Sequence, residues 1–143
     1  MKIFSVLFPY MLGAAIFFPA LSQAQSSKEQ QEQYALNMIA YEHKAPNHYA
    51  TVLYMPYYPA YGMISLKSPQ CNAEIAGYID PFALKNNKLI ITYKRCKISF
   101  DINQANQELS NPNETTVCEE YHPKNCSFSQ IPSLKQIPLK IKD

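Results

Sequence analysis

The chain has 143 residues, with 13 lysine and arginine side chains against 11 acidic ones and a formal net charge of +2. This length allows one compact domain, and a charge so near neutrality gives no electrostatic basis for binding nucleic acid or an anionic membrane surface. Only 3 glycines occur, which excludes a glycine-rich phosphate-binding loop, and no cofactor is expected.

The first 24 residues have the layout of a secretory signal peptide. Lys2 supplies a positive start, residues 3–18 are mostly apolar, and small residues stand at Ser22 and Ala24. This pattern predicts cleavage after Ala24. An uncleaved membrane anchor is the alternative, because the apolar segment is nearly long enough to span a bilayer. Pro19 and the polar residues after the small-residue site favour cleavage.

Cleavage would leave residues 25–143 as a single small exported domain, periplasmic or secreted. No second long apolar segment follows, so no stable membrane insertion is expected after cleavage. In an exported chain of this size, an even number of cysteines indicates disulfides. The four are Cys71, Cys96, Cys118 and Cys126. Of the three possible pairings, Cys71 with Cys96 and Cys118 with Cys126 is favoured, because each bond then closes a short loop.

In chain order, the patterns predict one N-terminal helix followed by strands. Residues 26–42 begin with serines that suit an N-cap and carry apolar side chains in their second half, which favours a helix. Pro46 ends that element. From Tyr49 onward, runs of β-branched and aromatic residues predict strands at 49–55, 63–66, 74–79 and 88–102.

The clearest strand pattern lies within residues 88–102. Ile98 and Phe100 alternate with polar residues, and Cys96 shares their phase. Upstream the apolar residues occupy odd positions, so a bulge or sharp bend is predicted near Lys94 and Arg95. Residues 110–113 are predicted as a loop. The sum is an α+β fold that is mainly β: a small antiparallel sheet or barrel-like domain with an N-terminal helix, stapled by two disulfides.

The catalytic motifs that a sequence can reveal are missing, which argues against an enzyme. No Gly-x-Ser-x-Gly, His-Glu-x-x-His or Cys-x-x-Cys occurs. One spacing resembles a metal site, because Cys118, His122 and Cys126 are soft ligands that suit zinc or copper, with Glu119 and Glu120 close by. Exported cysteines usually oxidise and then cannot ligate as thiolates, so no metal site is predicted.

A cluster of tyrosines is the strongest indication of a binding surface. Tyr54, Tyr57, Tyr58 and Tyr61 lie close together, with prolines on both sides of the central pair. Prolines stiffen the segment, and tyrosine combines apolar area with a polar group, as interfaces require. We therefore predict a partner-binding surface here. The alternative is that these rings cap the end of the hydrophobic core.

Three functions remain open. The first is a non-enzymatic protein that captures another protein in the same compartment, as an inhibitor of a cell-wall hydrolase or an immunity protein against a toxin does. The second is a small exported hydrolase or metal-binding protein centred on His122 with Glu119 or Glu120. The third is a subunit of a surface assembly, suggested by the alternating tail of residues 137–141, which would form an edge strand.

Overall fold

The computed structural model describes residues 37–57 and 59–139. In these residues eight antiparallel strands close into a barrel, each pairing with its neighbours in sequence, and the last pairs with the first. The strands are β1 (Ile39–Ala45), β2 (His48–Met55), β3 (Tyr61–Ser68), β4 (Cys71–Ile79), β5 (Lys88–Tyr93), β6 (Cys96–Asn103), β7 (Glu108–Glu114) and β8 (Leu134–Ile137). A short helix, α1 (Pro81–Lys85), joins β4 to β5, and 3₁₀ turns at Thr116–Tyr121 and Phe128–Gln130 lie between β7 and β8.

The predicted mainly β, barrel-like domain with two disulfides is confirmed, but the predicted helix is wrong for its last residues. Residues 39–42 lie in β1, which pairs with β2 on one side and with β8 on the other. A short apolar run fits either a helix or a strand, and here pairing on both sides satisfies the backbone groups. Residues 26–36 of the predicted helix lie outside the described residues.

The pattern within residues 88–102 is reproduced by a hairpin. Cys96, Ile98 and Phe100 are buried in the barrel, as their shared phase predicted. The predicted bend is the two-residue turn at Lys94 and Arg95 that joins β5 to β6, and Lys94 has a φ of 52°. The interior is filled by side chains, as expected for a barrel of eight strands. The largest fully buried ones include Phe100, Phe128, Ile64, Leu66, Leu89 and Ile91.

Residues 115–133, which we call the closing segment, cross from β7 to β8 at the lower end of the barrel. This is the end that carries the β1–β2, β3–β4 and β5–β6 turns. Both disulfides hold the closing segment to strand starts at this end: Cys126 bonds to Cys71 of β4, and Cys118 bonds to Cys96 of β6. The Cα–Cα distances are 5.2 and 4.7 Å.

The predicted pairing of Cys71 with Cys96 and of Cys118 with Cys126 is therefore wrong. Cys71 and Cys96 begin β4 and β6, and β5 lies between these strands. Neighbouring strands are about 4.8 Å apart, so strands two positions apart are separated by roughly 10 Å. A disulfide requires Cα atoms within about 7 Å. The closing segment supplies a partner for each of them instead.

Two further strands differ from the predictions. Residues 110–113, predicted as a loop, lie in β7, which tolerates Pro112 at a register shift between Ser99 and Asp101 of β6. Of the predicted edge strand in the tail, Ile137 is the last residue of β8 and pairs with Ala40 of β1, whereas residues 138 and 139 are not in a strand. Residues 140 and 141 of that prediction lie outside the described residues. The suggestion of a surface-assembly subunit stays a prediction.

Candidate functional site

The strands β4 and β5 separate toward the lower end of the barrel. They pair over two residues only: Tyr78 opposite Thr92 and Ile79 opposite Ile91. After Tyr93 the chain turns away into β6, while β4 extends down to Cys71. A gap therefore opens beside residues 71–76 of β4.

Gly77 lies where the two strands come closest, just before they diverge. A Cβ atom at this position would collide with the carbonyl oxygen of Thr92 and lie 2.6 Å from its carbonyl carbon. Real side chains do not tolerate such contacts, so only glycine lets the two backbones meet here. Gly77 thereby sets the point at which the gap begins.

An aromatic cleft of about 360 Å³ lies over the gap. It is lined by Tyr61, Glu74, Ile75, Ala76, Tyr93 and Tyr121. Its three rings come from β3, from the end of β5 and from the closing segment. One disulfide joins the closing segment to β4, and the other joins it to β6, which pairs with β5, so covalent bonds anchor the closing segment beside the cleft.

The rings around the aromatic cleft are arranged in two edge-to-face pairs. Tyr61 and Tyr78 have centroids 5.8 Å apart, and Tyr93 and Tyr121 have centroids 5.3 Å apart, with interplanar angles of 88° and 84°. The ammonium group of Lys94 lies 5.3 Å from the Tyr93 centroid and 5.9 Å from that of Tyr121. Edge-to-face and cation–π contacts both favour these orientations of the rings.

The four tyrosines predicted as a partner surface lie in different settings. Tyr61 lines the aromatic cleft, and Tyr57 is exposed in the loop between β2 and β3. Tyr54 is buried in the barrel, where its ring stacks on Tyr41 with centroids 6.2 Å apart. Tyr58 lies outside the described residues. Tyr54 therefore caps the hydrophobic core, which is the alternative to a partner-binding role for these rings.

Burial has an electrostatic consequence at Tyr54 and Tyr41. Removal from water raises the pKa of both phenols, and the negative charge that Tyr41 would carry raises that of Tyr54 further. Both rings line a second cleft, of about 290 Å³, at the upper end of the barrel, which is the end opposite the closing segment. Glutamine side chains from the β6–β7 turn and β8 share this cleft: Gln104, Gln107 and Gln136.

The other residues of the aromatic cleft were not recognised from the sequence. Tyr93 and Tyr121, which line the cleft, and Tyr78, whose ring contacts Tyr61, stand in three separate segments of the chain. Their proximity arises from the barrel register and from the disulfide between Cys96 and Cys118, and neither can be read from local patterns. The alternation of apolar residues in 88–93 placed Tyr93 on the inner face, but it did not indicate that the barrel opens there.

His122 lies in a buried polar cluster and not in a cleft. Its Nε2 atom is 3.0 Å from Oε1 of Glu114, and its Nδ1 atom is 2.8 Å from the carbonyl oxygen of Pro123. A carbonyl oxygen can only accept, so Nδ1 carries a proton. The Ser127 hydroxyl and the Phe128 amide donate to the same carboxylate, at 2.6 and 2.9 Å. Glu114 thus fastens the closing segment to the end of β7.

These contacts do not support the alternative of a hydrolase or metal-binding protein centred on His122. The carboxylate at this histidine is Glu114, whereas Glu119 and Glu120 are exposed. Cys118 and Cys126 are bonded in disulfides and cannot supply thiolates. Within residues 37–57 and 59–139, no group of three or more metal-ligating side chains could hold an ion.

Comparisons with known proteins identify no relative, so a function has to be argued from the barrel and its clefts. No protein-family model matches the chain, and no curated protein or solved structure is significantly similar to it. The two disulfides indicate an oxidising, extracellular compartment. In the part of the chain that the structure describes, no helix has the length and apolar character needed to cross a membrane.

Proposed function

We propose that this chain is an exported protein, periplasmic or secreted, that captures another protein of the same compartment, as an inhibitor of a cell-wall hydrolase or an immunity protein does. The observation that carries this proposal is the clustering of exposed rings at the aromatic cleft. Tyr61, Tyr78 and Tyr93 are 40%, 70% and 38% exposed. Exposed tyrosines that gather at a concave site are typical of protein interfaces.

The rigidity of the site supports capture over catalysis. The closed barrel and its two disulfides fix the elements around the cleft, so a partner would bind without ordering them, and that lowers the entropic cost of association. The residues that line the cleft include one carboxylate, Glu74, and no histidine. Such a lining offers mainly apolar and aromatic contact area, which suits the binding of a protein surface.

Native mass spectrometry on unreduced protein from its own compartment tests this function. We expect a chain that begins at Gln25, with all four cysteines oxidised and a second protein attached. Affinity for that protein should fall more than tenfold, or about 1.4 kcal/mol, in Tyr61→Ala and in Tyr121→Ala. Phe82→Ala is the matched control, because it removes an exposed aromatic ring that neither lines the cleft nor belongs to the predicted tyrosine surface. Equal affinities in all three variants and the unmodified chain would refute capture through the aromatic cleft.

A further inference from the structure

The backbone of β4 has a defined direction at the gap. The amide of Ile79 donates to Ala60 on the β3 side, at 3.1 Å, and the amide of Asp80 donates to Ile90 on the β5 side, at 3.2 Å. Successive residues of an antiparallel strand direct their backbone groups to opposite sides. The amide and carbonyl groups of even-numbered β4 residues therefore face the β5 side.

Below Tyr78, these even-numbered positions have no strand beside them. They are Asn72, Glu74 and Ala76. In the described residues, no backbone hydrogen bond joins positions 71–76 to β5 or to the closing segment. On its other side, β4 pairs with β3 along its whole length. The barrel thus keeps a short unpaired edge, and such an edge is a template for another strand.

We propose that this edge is the docking site for an extended segment of the captured protein, which adds to β4 as a strand inside the aromatic cleft. This inference rests on the proposed function and specifies the chemistry of the partner. The backbone of the segment would hydrogen-bond to Glu74 and Ala76. Its apolar side chains would contact the rings that flank the edge, as in other cases of strand addition.

An extended chain fits this site better than a helix or a sugar. A helix uses its own backbone groups internally and cannot pair with a strand edge. A sugar could stack on the rings, but it would not reproduce the regular spacing of the amide and carbonyl groups on β4. The exposed carboxylate of Glu74 faces the docked segment, so we expect a basic residue near it in the partner.

The test uses linear twelve-residue peptides selected from a phage-displayed random library on the unreduced, oxidised protein. Each selected peptide is synthesised with a single N-methyl group at successive positions. Strand addition predicts that methylation at alternate positions lowers affinity more than tenfold, because those amides donate to β4, whereas methylation at the intervening positions has little effect. Hydrogen exchange at the Glu74 and Ala76 amides should slow at least tenfold when the peptide binds.

Several results would overturn the inference. The inference is wrong if methylation of the bound peptides has no alternating effect on affinity, or if the peptides leave the Glu74 and Ala76 amides unprotected. It is also wrong if every selected peptide binds equally well without the Tyr121 ring, or if the protein forms a dimer that buries this edge. The same measurements distinguish failure of this inference from failure of the proposed function. If the natural partner requires Tyr61 and Tyr121 but leaves the Glu74 and Ala76 amides unprotected, capture stands and strand addition does not. If neither partner nor peptide requires Tyr121, both are wrong.

Discussion

At the scale of single residues, the two buried glycines of the barrel differ in what surrounds them. A Cβ atom at Gly62 would lie 2.8 Å from Cδ1 of Ile91 and 3.2 Å from Cδ1 of Ile79, the ends of flexible side chains. At Gly77 it would meet the backbone of Thr92, which cannot move without separating β4 from β5. The same added methyl group should therefore have unequal effects at the two positions.

We expect Gly62→Ala to lower the free energy of unfolding by about 1–2 kcal/mol and Gly77→Ala by at least about 3 kcal/mol. Urea denaturation of the oxidised variants measures both values. Similar losses would mean that the contact between β4 and β5 is not as tight as described, and that Gly77 does not set the start of the gap.

The buried phenol of Tyr54 should make stability depend on alkaline pH. Burial raises the pKa of this group above its usual 10.0, with a further contribution from Tyr41, so the unfolded chain releases the proton first. The stabilisation is complete below about pH 10 and decreases as the pH rises above that value. Urea denaturation between about pH 8 and pH 11 should show a smaller decrease for Tyr54→Phe than for the unmodified chain. Tyr57→Phe, which removes a hydroxyl from an exposed position, is the control variant, and equal slopes for Tyr54→Phe and Tyr57→Phe would contradict the prediction.

At the scale of elements, the closing segment is a long connection held by two covalent bonds of unequal span. The cysteines are 55 residues apart in one disulfide and 22 apart in the other. A bond that closes the longer loop removes more entropy from the unfolded chain. Replacing both Cys71 and Cys126 by alanine should cost about 4 kcal/mol, and replacing both Cys96 and Cys118 should cost about 3 kcal/mol.

Denaturation without reductant gives the two losses, and peptide mapping of the unmodified chain gives the connectivity independently. A fragment that joins Cys71 to Cys96 would contradict the barrel register itself, because β5 separates these positions. A larger loss for the Cys96 and Cys118 variant would instead show that its disulfide does more than restrict the unfolded chain, for instance by holding Tyr121 and the other cleft elements in place.

The sequence predicted those elements whose pattern is local. Alternation through Cys96, Ile98 and Phe100 and the bend at Lys94 could be recognised, because each depends on a few adjacent residues. β1 was missed because its apolar residues fit a helical period equally well. Its pairing with β8, which comes from the other end of the chain, makes this segment a strand. The disulfide partners were missed for the same reason, since strand order and not loop length determines which cysteines meet.

At the scale of the whole molecule, the candidate site could be predicted only in part. Tyr61 belongs to the segment that the sequence singled out, and Tyr54 shows why clustering in sequence is a poor guide, because alternate residues of a strand point to opposite faces. The cleft itself exists because β5 is shorter than β4 at the lower end, and the relative lengths of paired strands are a property of the closed barrel.

Barrel closure leads to a prediction for the free protein. Residues 40–42 of β1 lie between β2 and β8, so their amides should exchange with solvent only through global unfolding, although β1 and β8 are the first and last strands of the barrel. The amides of Asn72, Glu74 and Ala76 should exchange orders of magnitude faster, while those of Ala73 and Ile75, which face β3, stay protected. Hydrogen exchange resolved by residue measures both sets. Protection that alternates along β4 would mean that this strand has an edge at which a partner strand can pair, whereas uniform protection would mean that no such edge exists.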